Sequence, residues 1–199
     1  MLTRTLGTDE QRELSFRILE GTSRIEHMVE ALRRYAQPVE PVLRAVVVDE
    51  LVNGLRSFLA PETWKQVDVT VDPAVPETVP ADPMLLRQAL LALLQNAVEA
   101  NAAQDSGVQL SVGYDAAADT VTFQTWNDGA LDMPAEQVFE PFVSSKPPQL
   151  GLGLALARRI ARAHRGALVL TAADAEAGTE FTLQVPATVE VAEKRLSLE

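Results

Sequence analysis

The stretch FEPFVSSKPPQLGLGLALARRIARAH, Phe139 to His164, changes character halfway along. An aromatic and proline-containing opening leads to a lone lysine, Lys146, then to Gly151-Leu152-Gly153-Leu154, then to a helical pattern that runs to His164. Glycines ahead of a helix leave its first backbone N–H groups uncovered, and that end carries about half a positive charge. The geometry offers a grip on an anion, phosphate in particular. A glycine pair is also an ordinary turn, so the rest of the chain has to decide between the two.

Composition narrows the choice. The 199 residues carry 17 Lys+Arg against 28 Asp+Glu, a formal net charge of −11. That balance argues against a nucleic-acid partner, whose affinity rests on basic side chains meeting phosphates. An anionic ligand must then be held locally. The absence of cysteine excludes disulfide frameworks and cysteine–zinc sites. No apolar run reaches the roughly 18 residues that a membrane helix needs, and MLTRTLGTDEQRE lacks the apolar centre of a signal peptide. The expectation is a soluble, cytoplasmic chain with no membrane segment.

Working outward, the pattern predicts a helix over residues 8–37, with Thr8 as cap, Gln11 three residues on, and Pro38 and Pro41 beyond its end. Leu14, Ile18, Ile25, Met28, Leu32 and Tyr35 fall at heptad spacing along it. Such a helix can pack on its own globular domain, but a narrow seam suits another helix better than a sheet, which points to a helical hairpin or a homodimer bundle through helix 8–37. Next come a short strand-like run entering a helix (VVVDELVNGLRSFL), a turn at Ala60-Pro61-Glu62, and the alternating VDVTVD. Residues 83–103 read as a long helix with Asp82 as its cap and Pro83 at its first position. VQLSVGY and TVTFQTW read as strands about a turn near Asp115–Asp119, followed by helix 151–165 and strands Ala167–Ala173 and Glu180–Val185. The order predicts an α+β fold, a mixed sheet covered on one face by helices. Residues 187–199 carry no packing pattern.

Three further features each allow two readings. Asn96, in the middle of an apolar helix, is either a buried amide satisfied by backbone or an oxygen ligand for Mg²⁺. Asn127-Asp128-Gly129 ends a strand and is either a chain reversal or a residue reading a base edge beside a close backbone approach. Residues 127–150 lack clear regular structure: the apolar anchors about Phe139-Glu140-Pro141-Phe142 either simply pin the loop or, since a loop of that length in a compact domain is usually functional, belong to a lid.

Taken together and in this order, LLRQALLALLQNAVEAN, WNDG, VFEPFVSSK and GLGLALARRIARAHRGAL resemble the N, G1, F and G2 boxes of the ATP-binding domain of sensor histidine kinases. These belong to the superfamily that includes gyrase, heat-shock chaperone and mismatch-repair ATPases. GTEFTLQVP is similar to the family's last strand, and ILEGTSRIEHMVEALRRYA to the second helix of its dimerisation and phosphotransfer hairpin. The resemblance covers residues 10–186 and implies a Bergerat-type α/β sandwich behind a long heptad helix. It implies ATP and Mg²⁺ as cofactors, with Asn96 on the metal and Asn127 on adenine. It sets Gly129 beneath the base, Ser145 and Lys146 facing the phosphates, Gly151, Leu152, Gly153 and Leu154 cradling them, and Thr179 supporting adenine. The implied chemistry is transfer of the γ-phosphoryl group to a histidine and then to an aspartate of a response regulator receiver domain.

Several positions depart from the family pattern. Ala92 stands where a first asparagine is usual, Asn127 where aspartate is usual, Leu131 near a usual second glycine, and Gln149 at the leading glycine of the last box. The phosphoacceptor motif is missing, because His27 is followed by Met28-Val29-Glu30 and His164 follows the last helix. The expected division is a partial hairpin helix at 1–41, an ATP-binding domain at 42–186 and a tail at 187–199. The rival expectation is a degenerate module that binds no ATP and serves dimerisation or regulator docking.

Overall fold

The computed structural model describes residues 9–101, 107–131, 133–144, 150–174 and 178–188. Helix α1 (Asp9–Ala36) is followed by an extended linker, strand β1 (Arg44–Val47) and helix α2 (Val48–Leu55). Where the sequence suggested only a turn, Pro61 opens a short helix α3 (Pro61–Trp64), because a residue without an N–H suits the first helical position. Strands β2 (Val67–Val71) and β3 (Thr78–Ala81) lead to α4 (Pro83–Asn101). Strands β4 (Val108–Asp115) and β5 (Thr120–Asn127), helix α5 (Gly153–Ala163), and strands β6 (Ala167–Asp174) and β7 (Gly178–Pro186) complete the described elements.

Five strands form one mixed sheet in the order β2-β4-β5-β7-β6, in which only the β2–β4 pair is parallel. A parallel pair needs a long crossover, and β3 with α4 supplies it. β3, missed in the sequence because TVPA is short and holds a proline, pairs outside this sheet with β1. Alternation along the strands turns Val108, Leu110, Val112, Val121, Phe123, Leu183 and Val185 into the core. They meet Leu86, Leu90, Leu93 and Leu94 of α4 and Ala157 and Ile160 of α5. Because β5 pairs with β7 and not with β6, the chain after β5 must cross the helical face before it returns. That path sets the end of β5 beside the start of β7, with Asn127 opposite Thr179.

Asp82 starts α4. Its Oδ1 accepts the N–H groups of Met84 and Leu85 at 3.0 and 3.1 Å, and its Oδ2 accepts that of Val42 in the linker at 3.0 Å. Partial burial would raise the carboxyl's pKa, but the N–H bonds from Leu85, Val42 and Met84 outweigh it and hold the group below its ordinary value. The charged form is therefore the one that folding favours. Asp82→Ala is expected to cost about 1 kcal/mol, the usual worth of a helix cap. The deficit should be full near pH 7 and shrink as pH falls through the lowered pKa, since the wild-type carboxylate is then protonated too. Urea denaturation of both proteins from pH 7 down to pH 3 checks this.

Candidate functional site

The core stripe of α4 runs through Leu86, Leu90, Leu93 and Ala97. Ala92, Asn96, Glu99 and Ala100, on a neighbouring stripe of the same helix, line a cavity of about 1110 Å³. Gly151, Leu152, Gly153 and Leu154 form a facing wall, and Thr179 from β7 also reaches it. Leu131, Met133, Val138 and Val143 supply an apolar margin from the loop after β5. The volume is of the size that holds small ligands and cofactors.

Some polar groups at this cavity lack a partner among the described residues. No side chain among the described residues caps the start of α5, whose first N–H groups stand at the cavity wall. The Asn96 amide has no hydrogen bond to a described residue and is half-buried. Asn127 is 1% exposed; its Nδ2 donates to the Gly129 carbonyl at 3.4 Å, and its Oδ1 has no partner among the described residues. Thr179 Oγ1 donates to the same carbonyl at 2.7 Å. An uncovered helix start suits phosphate, a buried acceptor without a donor suits an amino group, and one amide oxygen suits a cation that shares its shell with phosphates and water. Among the described residues there is no cluster of three or more His, Cys, Asp or Glu that could hold a metal alone. A cation here would depend on its ligand.

Of the residues singled out in the sequence, Asn96, Gly151 to Leu154 and Thr179 share this cavity. Asn127 and Gly129 sit beside Thr179, buried behind the lining, while Ser145 and Lys146 lie outside the described residues. Two glycines have local reasons to be glycine. A Cβ on Gly129 would lie 2.9 Å from the Ala100 carbonyl at the end of α4, so the close approach is to protein backbone. Gly151 has φ +64°, and a Cβ there would lie 2.1 Å from the Val143 carbonyl, where the loop folds back over its own beginning.

The sequence reading missed the contribution of α1, whose Phe16, Leu19, Glu20, Ser23, Met28 and Ala31 line the same cavity. Phe16, Leu19 and Ser23 recur at steps of three and four, a second stripe that the heptad seam obscured. Leu14, Ile18, Ile25, Val29 and Leu32 stay exposed on the other side of the helix. Met28 and Tyr35, counted with that seam, instead turn toward the domain and are half-buried. His164 is buried, with Nδ1 donating to the Ile160 carbonyl at 2.8 Å and Nε2 accepting the Asp82 N–H at 3.0 Å. Both ring nitrogens are committed to structure.

Residues 81–189 match the family described as histidine kinase-, DNA gyrase B-, and HSP90-like ATPase, and the chain belongs to that family. Within it the relatives are sensor kinases. The chain is 25% identical over 183 residues to the sensor histidine kinase ZraS of Escherichia coli O157:H7, covering 90% of this chain and 39% of that protein. The chain thus spans about two fifths of the length of that relative. Full-length ShkA in complex with AMPPNP superposes with a TM-score of 0.75 at 26% identity, over 94% of this chain and 41% of that one. Histidine kinase ThkA in complex with the response regulator protein TrrA gives a TM-score of 0.66 at 22% identity, over 93% and 54% of the two chains, a likeness of fold. No helix among the described residues is long and apolar enough to cross a membrane.

Gly151→Ala is expected to destabilise the domain by about 1–3 kcal/mol, the cost of holding a side chain at a strained φ. The added methyl also forces the loop away from Val143. A lowered urea midpoint checks it, and an unchanged midpoint would show that the loop reseats freely.

Proposed function

We propose that the cavity binds ATP with Mg²⁺, and that the chain is the ATP-binding part of a two-component sensor histidine kinase. In this reading the γ-phosphoryl group passes to a histidine outside these residues and then to the receiver domain of a response regulator. The observation that carries it is the pairing of an uncapped α5 start with the unbonded Asn96 amide on facing walls of one cavity. Family membership and the ShkA complex with AMPPNP support the nucleotide; the ThkA complex with the response regulator TrrA supports the regulator. Asn96 holds Mg²⁺ through its oxygen, and Gly151 to Leu154 meet the phosphates, joined by Ser145 and Lys146 from the preceding loop. Asn127 Oδ1 accepts from the adenine amino group, with Gly129 and Thr179 as its support.

Neither histidine serves as acceptor. His164 is bonded at both nitrogens and lies at the far end of α5, about 16 Å from the glycine turn for eleven residues at about 1.5 Å each. His27 belongs to the second helix of the hairpin by resemblance, whereas the acceptor belongs to the first. The apolar stripe Leu14, Ile18, Ile25, Val29 and Leu32, exposed in a single chain, is the surface through which α1 forms a homodimer. The functional division is a hairpin helix at 1–41, a catalytic domain at 42–186 and a tail at 187–199, acting in the cytoplasm.

Asn96→Ala is expected to abolish the Mg²⁺-dependent part of ATP affinity, measured by calorimetry with and without the metal. Equal affinity of variant and wild type in Mg²⁺ would remove Asn96 from the site. Asn127→Asp is expected to tighten ATP about tenfold, since a charged acceptor contributes roughly 1.5–3 kcal/mol against roughly 0.5–1.5 for a neutral one. It also gives up the long bond to Gly129, so weaker binding would show that this bond matters more than the charge.

A further inference from the structure

Among the described residues helix α1 packs extensively against no other helix or strand, yet it forms one side of the cleft. It is a cantilever, and its fixed end is well defined. The last carbonyls of a helix lack intrahelical donors. Here Arg159 of α5 supplies them from another part of the chain, donating Nη1 to the Tyr35 carbonyl and Nη2 to the Gln37 carbonyl at 3.1 Å. The same guanidinium stacks 4.8 Å from the centroid of the Tyr35 ring. The ring's other neighbour is Phe142, edge-on at 6.3 Å. Phe142 has φ +66° and remains 59% exposed, so a bulky side chain holds a left-handed backbone without the reward of burial. It lies nine residues before Gly151, in the loop that folds back on the glycine turn at Val143.

We infer that Tyr35, Phe142 and Arg159 form a clasp that holds α1 across the cleft, and that release of this clasp sets how fast the cleft exchanges its ligand. The inference rests on the nucleotide reading of the cleft and adds a regulatory contact to it. Closed, the clasp keeps Phe16 and Leu19 over the cavity even though both are largely exposed and little else retains them. Open, α1 swings away, and the strained turn at Phe142 loses the ring that supports it. A movement imposed on α1 from outside is thereby passed to the loop beside the phosphate end of the cleft. Arg159 and Tyr35 are positioning residues and do not line the cavity.

The test combines two measurements on the whole chain. Stopped-flow displacement gives the release rate of a fluorescent ATP analogue in Mg²⁺. Hydrogen exchange of residues 30–37 without nucleotide reports whether the end of α1 is held. Arg159→Ala should speed release about tenfold, the factor that losing one charged hydrogen bond commands, and Tyr35→Ala, which keeps the carbonyl but removes the ring from Arg159 and Phe142, should speed it about three- to fivefold, the worth of an exposed cation–π contact. Both should speed exchange in 30–37, and Tyr35→Phe, which keeps the ring, should behave as wild type. Faster exchange with unchanged release in both alanine variants would overturn the coupling. Unchanged exchange in both would overturn the clasp. A wild-type chain that binds no analogue would instead defeat the nucleotide reading, and the clasp would then stand or fall on exchange alone.

Discussion

The hydrogen bond from the Asp82 backbone N–H to Nε2 of buried His164 joins the residue before one helix to the residue after another. Since α4 starts where α5 ends, the two run antiparallel, and the other end of the pair is left to open as the cleft. The junction has a chemical condition. Nε2 can accept only while its lone pair is free, so Nδ1 must carry the proton, and the Ile160 carbonyl takes that proton as a hydrogen bond. Asp82 adds its carboxylate to the α4 start and to the linker at Val42. One short segment therefore orients the linker, both helices and, through them, the distance between Asn96 and the glycine turn.

Much of this was legible because most segments obey one period at a time. The strands around Val121 and Phe123 alternate cleanly, and Asp82-Pro83 announces α4 through capping chemistry that is local. β3 was not legible, since four residues containing a proline carry too little pattern, and only pairing with β1 makes them a strand. The site divides in the same way. Asn96 and the glycine turn could be suspected from their own neighbourhoods, whereas the reasons for Gly129 and Gly151 lie in the backbones of Ala100 and Val143, remote in the chain or across a loop. The cleft-facing stripe of α1 was hidden for a different reason. The stronger heptad signal on the same helix absorbed Met28 and Tyr35, which belong to the domain side.

Electrostatics explain the economy of charged groups around the cleft. A chain of net charge −11 repels anions at long range. The lining contains the carboxylates Glu20 and Glu99, and two of the three arginines of α5 are turned elsewhere, Arg158 over Phe139 and Arg159 over Tyr35. Among the described residues, attraction at this wall then comes from backbone N–H groups at short range, to which the nucleotide reading adds Lys146. Neutral amides at positions 96 and 127 add acceptors to the cleft without adding further negative charge.

Helix α1 commits two opposite sectors, one to the exposed seam and one to the cleft, with the clasp at its end as the fixed reference. Its length is consequently quantised. One residue inserted upstream of Tyr35 would rotate everything before it by about 100° and carry both sectors off their targets at once. Seven inserted residues would return both nearly to phase and lengthen the arm by about 10.5 Å. Insertions and deletions accepted in this helix should therefore come in heptads, and a helix grafted from a relative must match the clasp-to-stripe angle as well as the seam.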